Sequence, residues 1–148
     1  MSPSEHAGHA GQAGHSHRAP ADLTRNQGLV LTALAGAPAP LSAYDILDKL
    51  RDDGLRAPLQ VYRALDKLVE RGLAHRLESL NAFVACADAH CHESGVIAFA
   101  ICENCGRVDE FADEVVRERL KDWAEATGFI PTRTTIELRG LCARCGKA

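Results

Sequence analysis

Two cysteine pairs of identical spacing, Cys102-Glu-Asn-Cys105 and Cys142-Ala-Arg-Cys145, most constrain what this chain can fold into. A Cys-x-x-Cys turn aims two sulfurs at one point, and two such turns supply the four corners of a tetrahedron. Zinc needs nothing more, and a site closed by four protein ligands is structural rather than catalytic. The spacing therefore predicts that Cys102, Cys105, Cys142 and Cys145 hold one structural Zn2+, with separate disulfides or free thiols as the alternative. The compartment points the same way. The N-terminus has no apolar signal core, and the apolar run Val96–Cys102 is too short to span a bilayer. The expected location is the cytoplasm, where thiols stay reduced.

Residues 96–148 read as strand, knuckle, strand, helix, strand, knuckle. Strands are expected at 96–101, 107–111 and 132–138, and a helix at 113–127 with Val115, Val116, Leu120 and Trp123 turned inward. A unit of about 55 residues buries too little apolar surface to be secure alone and normally gains a metal or a partner chain. The cysteine pairs lie where such a staple is needed.

The preceding segment has a different grammar. Residues 1–21 are rich in Ala, Gly, Ser and His, without apolar periodicity, and read as a disordered, histidine-containing tail. Thr24 is placed to cap a helix carrying Leu29, Val30 and Leu34 and ending at Gly36. Ser42-Ala-Tyr-Asp45 has capping-box form, opening a helix that buries Ile46, Leu47 and Leu50 and stops at Gly54. Pro58 suits the first position of a third helix and Gly72 its end; between them Val61, Leu65, Leu68 and Val69 form one apolar stripe. Strands at 73–77 and 82–86 follow, joined by Ser79-Leu-Asn81 as a hairpin. Three helices and a hairpin make a winged helix-turn-helix over residues 22–86. Residues 87–95 are a loop.

Net charge is −3, so the total does not announce a nucleic-acid ligand. Its distribution is more informative. From Leu55 to Arg76 there are five basic residues against two acids, and from Asp109 to Glu125 seven acids against three bases. The cations include Arg56, Arg63 and Lys67, with Tyr62 beside them, on the last helix and its approach. That is how a recognition helix is presented to a major groove. No His-Glu-x-x-His, phosphate loop or Gly-x-Ser-x-Gly is present, and the cysteine pairs lack the context of a zinc deaminase, so an enzyme is not expected.

Ser42-Ala-Tyr-Asp45, Val61-Tyr-Arg-Ala-Leu65, Leu73-Ala-His75 and the two cysteine pairs together resemble the ferric uptake regulator superfamily, in particular its zinc-sensing branch, over about residues 22–146. The resemblance implies an α+β chain in which the winged helix is followed by a small α/β dimerisation domain (96–148) with a three-stranded sheet and the four-cysteine zinc site. It implies a homodimeric repressor that binds double-stranded operator DNA of zinc-acquisition genes when zinc is plentiful, with no membrane and no small organic substrate. By position, Tyr62 and Arg63 fall where the family's recognition helix meets bases, and Arg63 suits the N7 and O6 of guanine. Tyr44 matches a further DNA-contacting tyrosine. Asp48 and Arg51 match a pair joining neighbouring dimers on some operators, though on one helix they are also an ordinary i, i+3 pair.

A second, regulatory Zn2+ per chain follows from the same resemblance. His75 shares a strand face with Leu73 and Leu77 and alone would read as a core histidine. Cys86 alone would read as a small buried hydrophobe. Both match ligand positions, as does Glu110. The remaining ligand is assigned to His92 in the loop, with His90 and Cys91 as substitutes. A donor set containing a thiolate favours zinc over magnesium or manganese. The competing expectations are the same fold sensing iron or peroxide and, more remotely, a zinc hydrolase.

Overall fold

The structure, a computed structural model, describes Pro20 and residues 22–87 and 96–147. Helix α1 spans Arg25–Ala35, α2 Ala43–Leu50 and α3 Pro58–Glu70. The local chemistry at their starts is what the sequence predicts. Thr24 and Gln27 satisfy each other's backbone N–H groups, as do Ser42 and Asp45. Ala57 has no side chain to cap α3, so the Gln60 side chain instead accepts from the N–H groups of Arg56 and Ala57 at 2.9 and 3.1 Å. Gly54 and Gly72 take positive φ, +102° and +63°, where a side chain would be strained.

The helices pack around Val30, Leu34, Ile46, Leu47, Leu50, Leu55, Val61, Leu65 and Leu68, all buried. Strands β1 (Ala74–Leu77) and β2 (Ala82–Ala85) form an antiparallel hairpin with Ala74 opposite Ala85 and His75 opposite Val84. The period of two sorts this hairpin between two cores. Ala74, Phe83 and Ala85 face the helices, whereas Leu77 and Val84 face away, onto the second half of the chain. His75 shares the outward face with Leu77. Leu73, which precedes the strand, packs against the helical core instead.

The second half is a three-stranded sheet in the order β4-β3-β5, with β3 at Val96–Cys102, β4 at Val108–Phe111 and β5 at Thr134–Gly140. Strand β4 runs antiparallel to β3, and β5 parallel to it, with α4 (Glu114–Thr127) in the connection. Ile97, Phe99 and Ile101 present one face of β3 to Leu77 and Val84 of the wing. The opposite face of β3 carries Ala98 and Ala100.

Helix α4 departs from expectation. Its only buried residue is Ala124, whereas Val115 is 69% and Trp123 58% exposed, with Val116 and Leu120 also open. The apolar face exists, but the described residues of this chain supply no surface to cover it. With Phe129 and Ile130 it borders a groove of about 860 Å3.

Candidate metal centres and nucleic-acid interface

The cysteine pairs meet because of strand register. Cys102 ends β3 opposite Gly140 at the end of the parallel strand β5, so the turns following both strands emerge at one end of the sheet. Each turn is closed by backbone bonds, Gly106 N–H to Cys102 O at 3.0 Å and Cys145 N–H to Cys142 O at 3.0 Å. The four sulfurs all lie within 4.8 Å of one another. Cys105 and Cys142 Sγ are 3.8 Å apart. A tetrahedron with Zn–S bonds of about 2.3 Å has edges of about 3.8 Å, so these residues fit zinc with little rearrangement.

The thiols are prepared for ionisation to different degrees. The Cys105 N–H, followed by the Cys142 N–H, which lies 3.3 Å from the sulfur, lowers the Cys102 thiol to about 6. The Cys145 N–H holds Cys142 below the ordinary thiol value. At Cys145 a bond from Asn104 favours the thiolate, but the Cys142 sulfur and its neighbours outweigh it and push the thiol up to about 11. Four adjacent thiols without a cation cannot all ionise together; a coordinated zinc ion reverses that balance.

A second cluster lies between the wing and the sheet. His75 comes from β1, Cys86 from the residue after β2, and Glu110 from β4; their ligand atoms lie within 4.8 Å of one another. Glu110 Oε1 is 3.8 Å from His75 Nε2 and 3.9 Å from Cys86 Sγ. The first distance is too long for a hydrogen bond but suits donors arranged around a shared centre. Glu110 is held in place through Oε2, which accepts from the Ala87 N–H at 3.0 Å. His75 and Glu110 side chains are only 9% and 10% exposed. Phe99 packs against the imidazole, ring centres 5.6 Å apart and planes tilted by 55°. His92, His90 and Cys91 lie outside the described residues, as do the histidines of the N-terminal tail.

The basic surface belongs to the first half of the chain. Tyr62, Arg63 and Lys67 project from α3 and Tyr44 from α2, all exposed; Arg56 is exposed just before α3. Arg63 makes no ion pair or hydrogen bond among the described residues, leaving its fork available, whereas Lys67 pairs with Glu70 at 2.9 Å. Arg51 and Asp48 pair with each other at 3.0 Å beside α2 and are both exposed. Leu59, one turn before Tyr62 and Arg63, is also exposed on this surface; its sole signal in the sequence is an apolar residue off the buried stripe.

Fold and sites together define a winged-helix protein joined to a small sheet domain that carries a four-cysteine cluster, with a second cluster of His75, Cys86 and Glu110 between the two halves. Residues 22–139 match the model of the ferric uptake regulator family. The zinc uptake regulation protein of Escherichia coli (strain K12) is 40% identical over 126 residues, covering 83% of this chain and 72% of that protein. The crystal structure of holo XcZur is similar at a TM-score of 0.76 and 42% identity, covering 85% of this chain and 87% of that one. A zinc uptake regulator complexed with zinc and DNA gives 0.74 at 37% identity, over 82% of this chain and 81% of that one. The chain belongs to the ferric uptake regulator family.

Proposed function

We propose that this protein is a zinc-responsive transcriptional repressor that binds operator DNA of zinc-acquisition genes as a homodimer. The similarity to zinc uptake regulators, one of them complexed with zinc and DNA, supports this reading. The observation that carries it is the cluster of His75, Cys86 and Glu110, because its donors come from both halves of the chain. The proposed structural zinc ligands are Cys102, Cys105, Cys142 and Cys145, and the proposed regulatory ligands are His75, Cys86, Glu110 and His92. The thiolate in the second set supports zinc over a metal of oxygen-only sites.

Bound there, zinc would supply a dication shared between the wing and the sheet domain. The residues do the rest. His75 and Cys86 fix the exit of the winged helix, and Glu110 fixes β4 against it. Ligand binding changes the orientation of the α3 helices only to the extent that the competent orientation is bound more tightly. A swing from about 1:99 to about 99:1 needs roughly 5.5 kcal/mol of differential binding. Structural zinc sites in small peptides reach about 10–16 kcal/mol in total, so the requirement is within range. Arg63 and Tyr62 would then read bases, with Tyr44, Arg56 and Lys67 holding the duplex. The bare face of α4, with Phe129 and Ile130, supports a second copy of the chain as its cover.

The test is the affinity of the full-length dimer for a duplex enriched from a random-sequence pool, measured against buffered free zinc. Tight binding that rises with zinc supports the reading. Affinity independent of zinc overturns it, and a rise with ferrous iron in place of zinc assigns the fold to another metal.

A further inference from the structure

Glu137 belongs to neither metal centre nor to the basic face, yet it makes the shortest hydrogen bond between the two halves among the described residues. Its Oε1 accepts from the Glu78 N–H at 2.6 Å and its Oε2 from the Ser79 N–H at 3.2 Å. Both amides belong to the turn of the wing. That turn's own bonds run from Leu80 N–H to Leu77 O and from Asn81 N–H to Glu78 O, so the hairpin offers Glu78 and Ser79 no internal acceptor. Burial pushes the Glu137 carboxyl up, but the hydrogen bonds from Ser79 and Glu78 hold it below the ordinary glutamate value.

The register gives this contact its meaning. Glu110, Phe99 and Glu137 are direct neighbours across β4, β3 and β5 and share the surface facing the wing. Strand spacing of about 4.8 Å puts the two glutamates roughly 10 Å apart. Glu110 reaches the exit of the hairpin, at Cys86 and Ala87, whereas Glu137 reaches its turn. Between these two points Leu77 and Val84 pack on Phe99 and Ile101, an apolar contact that fixes no direction by hydrogen bonding. The polar attachment at the turn adds a directional restraint at the end of the wing farthest from its exit.

We propose that Glu137 is a positioning residue for operator binding, holding the wing turn on β5 so that this contact and the His75–Cys86–Glu110 cluster together set the orientation of α3. The inference rests on the zinc-responsive reading above. It acts through the backbone of residues 78 and 79, not through DNA.

The experiment uses the full-length zinc-loaded protein carrying Glu137→Ala or Glu137→Gln, with amide exchange and operator affinity as readouts. Exchange at the Glu78 and Ser79 amides should quicken about tenfold or more in Glu137→Ala, with Glu137→Gln between it and wild type because one acceptor oxygen remains. Operator affinity at saturating zinc should fall about 5- to 20-fold, in the same order, with zinc content and dimer unchanged. Unchanged exchange overturns the contact in solution. Faster exchange with undiminished operator affinity overturns the positioning role. Should Glu137→Ala fail to fold, the same outcomes are read from Glu137→Gln. A wild type indifferent to zinc overturns the functional reading instead, whereas a zinc-responsive wild type matched by both variants overturns only the role of Glu137.

Discussion

Arg63 and Arg56 illustrate how differently two arginines on one basic surface are expected to act. Arg63 projects from the exposed face of α3 with its guanidinium unpaired among the described residues, free to form a bidentate fork with one guanine. Arg56 precedes the helix, exposed, and its proposed partner is phosphate rather than a base edge. Arg63→Ala should therefore weaken operator binding by about 1–3 kcal/mol and relax preference at one position, whereas Arg56→Ala should lower affinity for all sequences and reduce the salt slope by about 1. Fluorescence anisotropy on operator and scrambled duplexes at several salt concentrations separates the two. Equal loss on both duplexes for Arg63→Ala would contradict base readout. The cysteine site was legible at this scale because Cys-x-x-Cys carries its own geometry. His75 was legible only through the family resemblance, since an inward histidine on a strand has the same pattern whether it is a ligand or core; the structure adds that Cys86 and Glu110 lie beside it. Glu137 left no trace, because its partners lie 58 and 59 residues away and a glutamate in an alternating strand reads as a solvated side chain.

Elements that carry their own start and stop signals were legible, and those defined by what covers them were not. In α2, Ser42 Oγ accepts from the Asp45 N–H at 3.1 Å and Asp45 Oδ2 accepts from the Ser42 N–H at 3.0 Å. Ser42→Ala should cost about 1 kcal/mol in chemical denaturation. The Ser42 hydroxyl, then its N–H, holds the Asp45 carboxyl below its ordinary value. A depressed folded value means that the stabilisation is present above the unfolded carboxylate range and is lost as pH falls through the folded value. The deficit of Ser42→Ala should therefore be full at neutral pH and narrow below about pH 4; a constant deficit across that range would remove Asp45 from the account. Helix α4 is the opposite case. Its periodicity correctly marked Val115, Val116, Leu120 and Trp123 as one apolar face, but periodicity cannot say whether the cover belongs to the same chain. Trp123 packs on Phe129, ring centres 5.7 Å apart, and otherwise lies open. With a second copy as the cover, Trp123→Asp should raise the dimer dissociation constant ~30-fold or more, as removal of about 2 kcal/mol from a hot spot would. Sedimentation over a concentration series measures it, and an unchanged dimer would move the interface elsewhere.

For the whole molecule, the two proposed metal centres would divide the labour between making a domain and orienting it. The Cys102, Cys105, Cys142 and Cys145 sulfurs lie at the end of β3 and β5 within one half of the chain, so zinc held there joins two turns of a single sheet. No such site is preformed in an unfolded chain, and its binding free energy is therefore folding free energy. The His75, Cys86 and Glu110 donors join two halves that each already have buried apolar residues of their own, Leu65 and Leu68 in one and Ala98 in the other, with Leu77, Phe99 and Ile101 between them. Removing a donor there should leave both halves folded and loosen only their relation. Cys102→Ser should accordingly lose a tightly held zinc and unfold or monomerise the second half, abolishing operator binding at every zinc concentration. Cys86→Ser should keep the fold, the dimer and one zinc per chain, yet give an operator affinity that no longer rises with free zinc. His92→Ala should do the same more mildly, since His90 or Cys91 is available as a substitute. Metal content, thermal unfolding and operator titration in zinc buffers on the three variants decide the matter. A Cys102→Ser protein that stays dimeric with unchanged zinc removes the structural assignment. A Cys86→Ser titration that overlays the wild type moves the sensor away from the His75, Cys86 and Glu110 cluster.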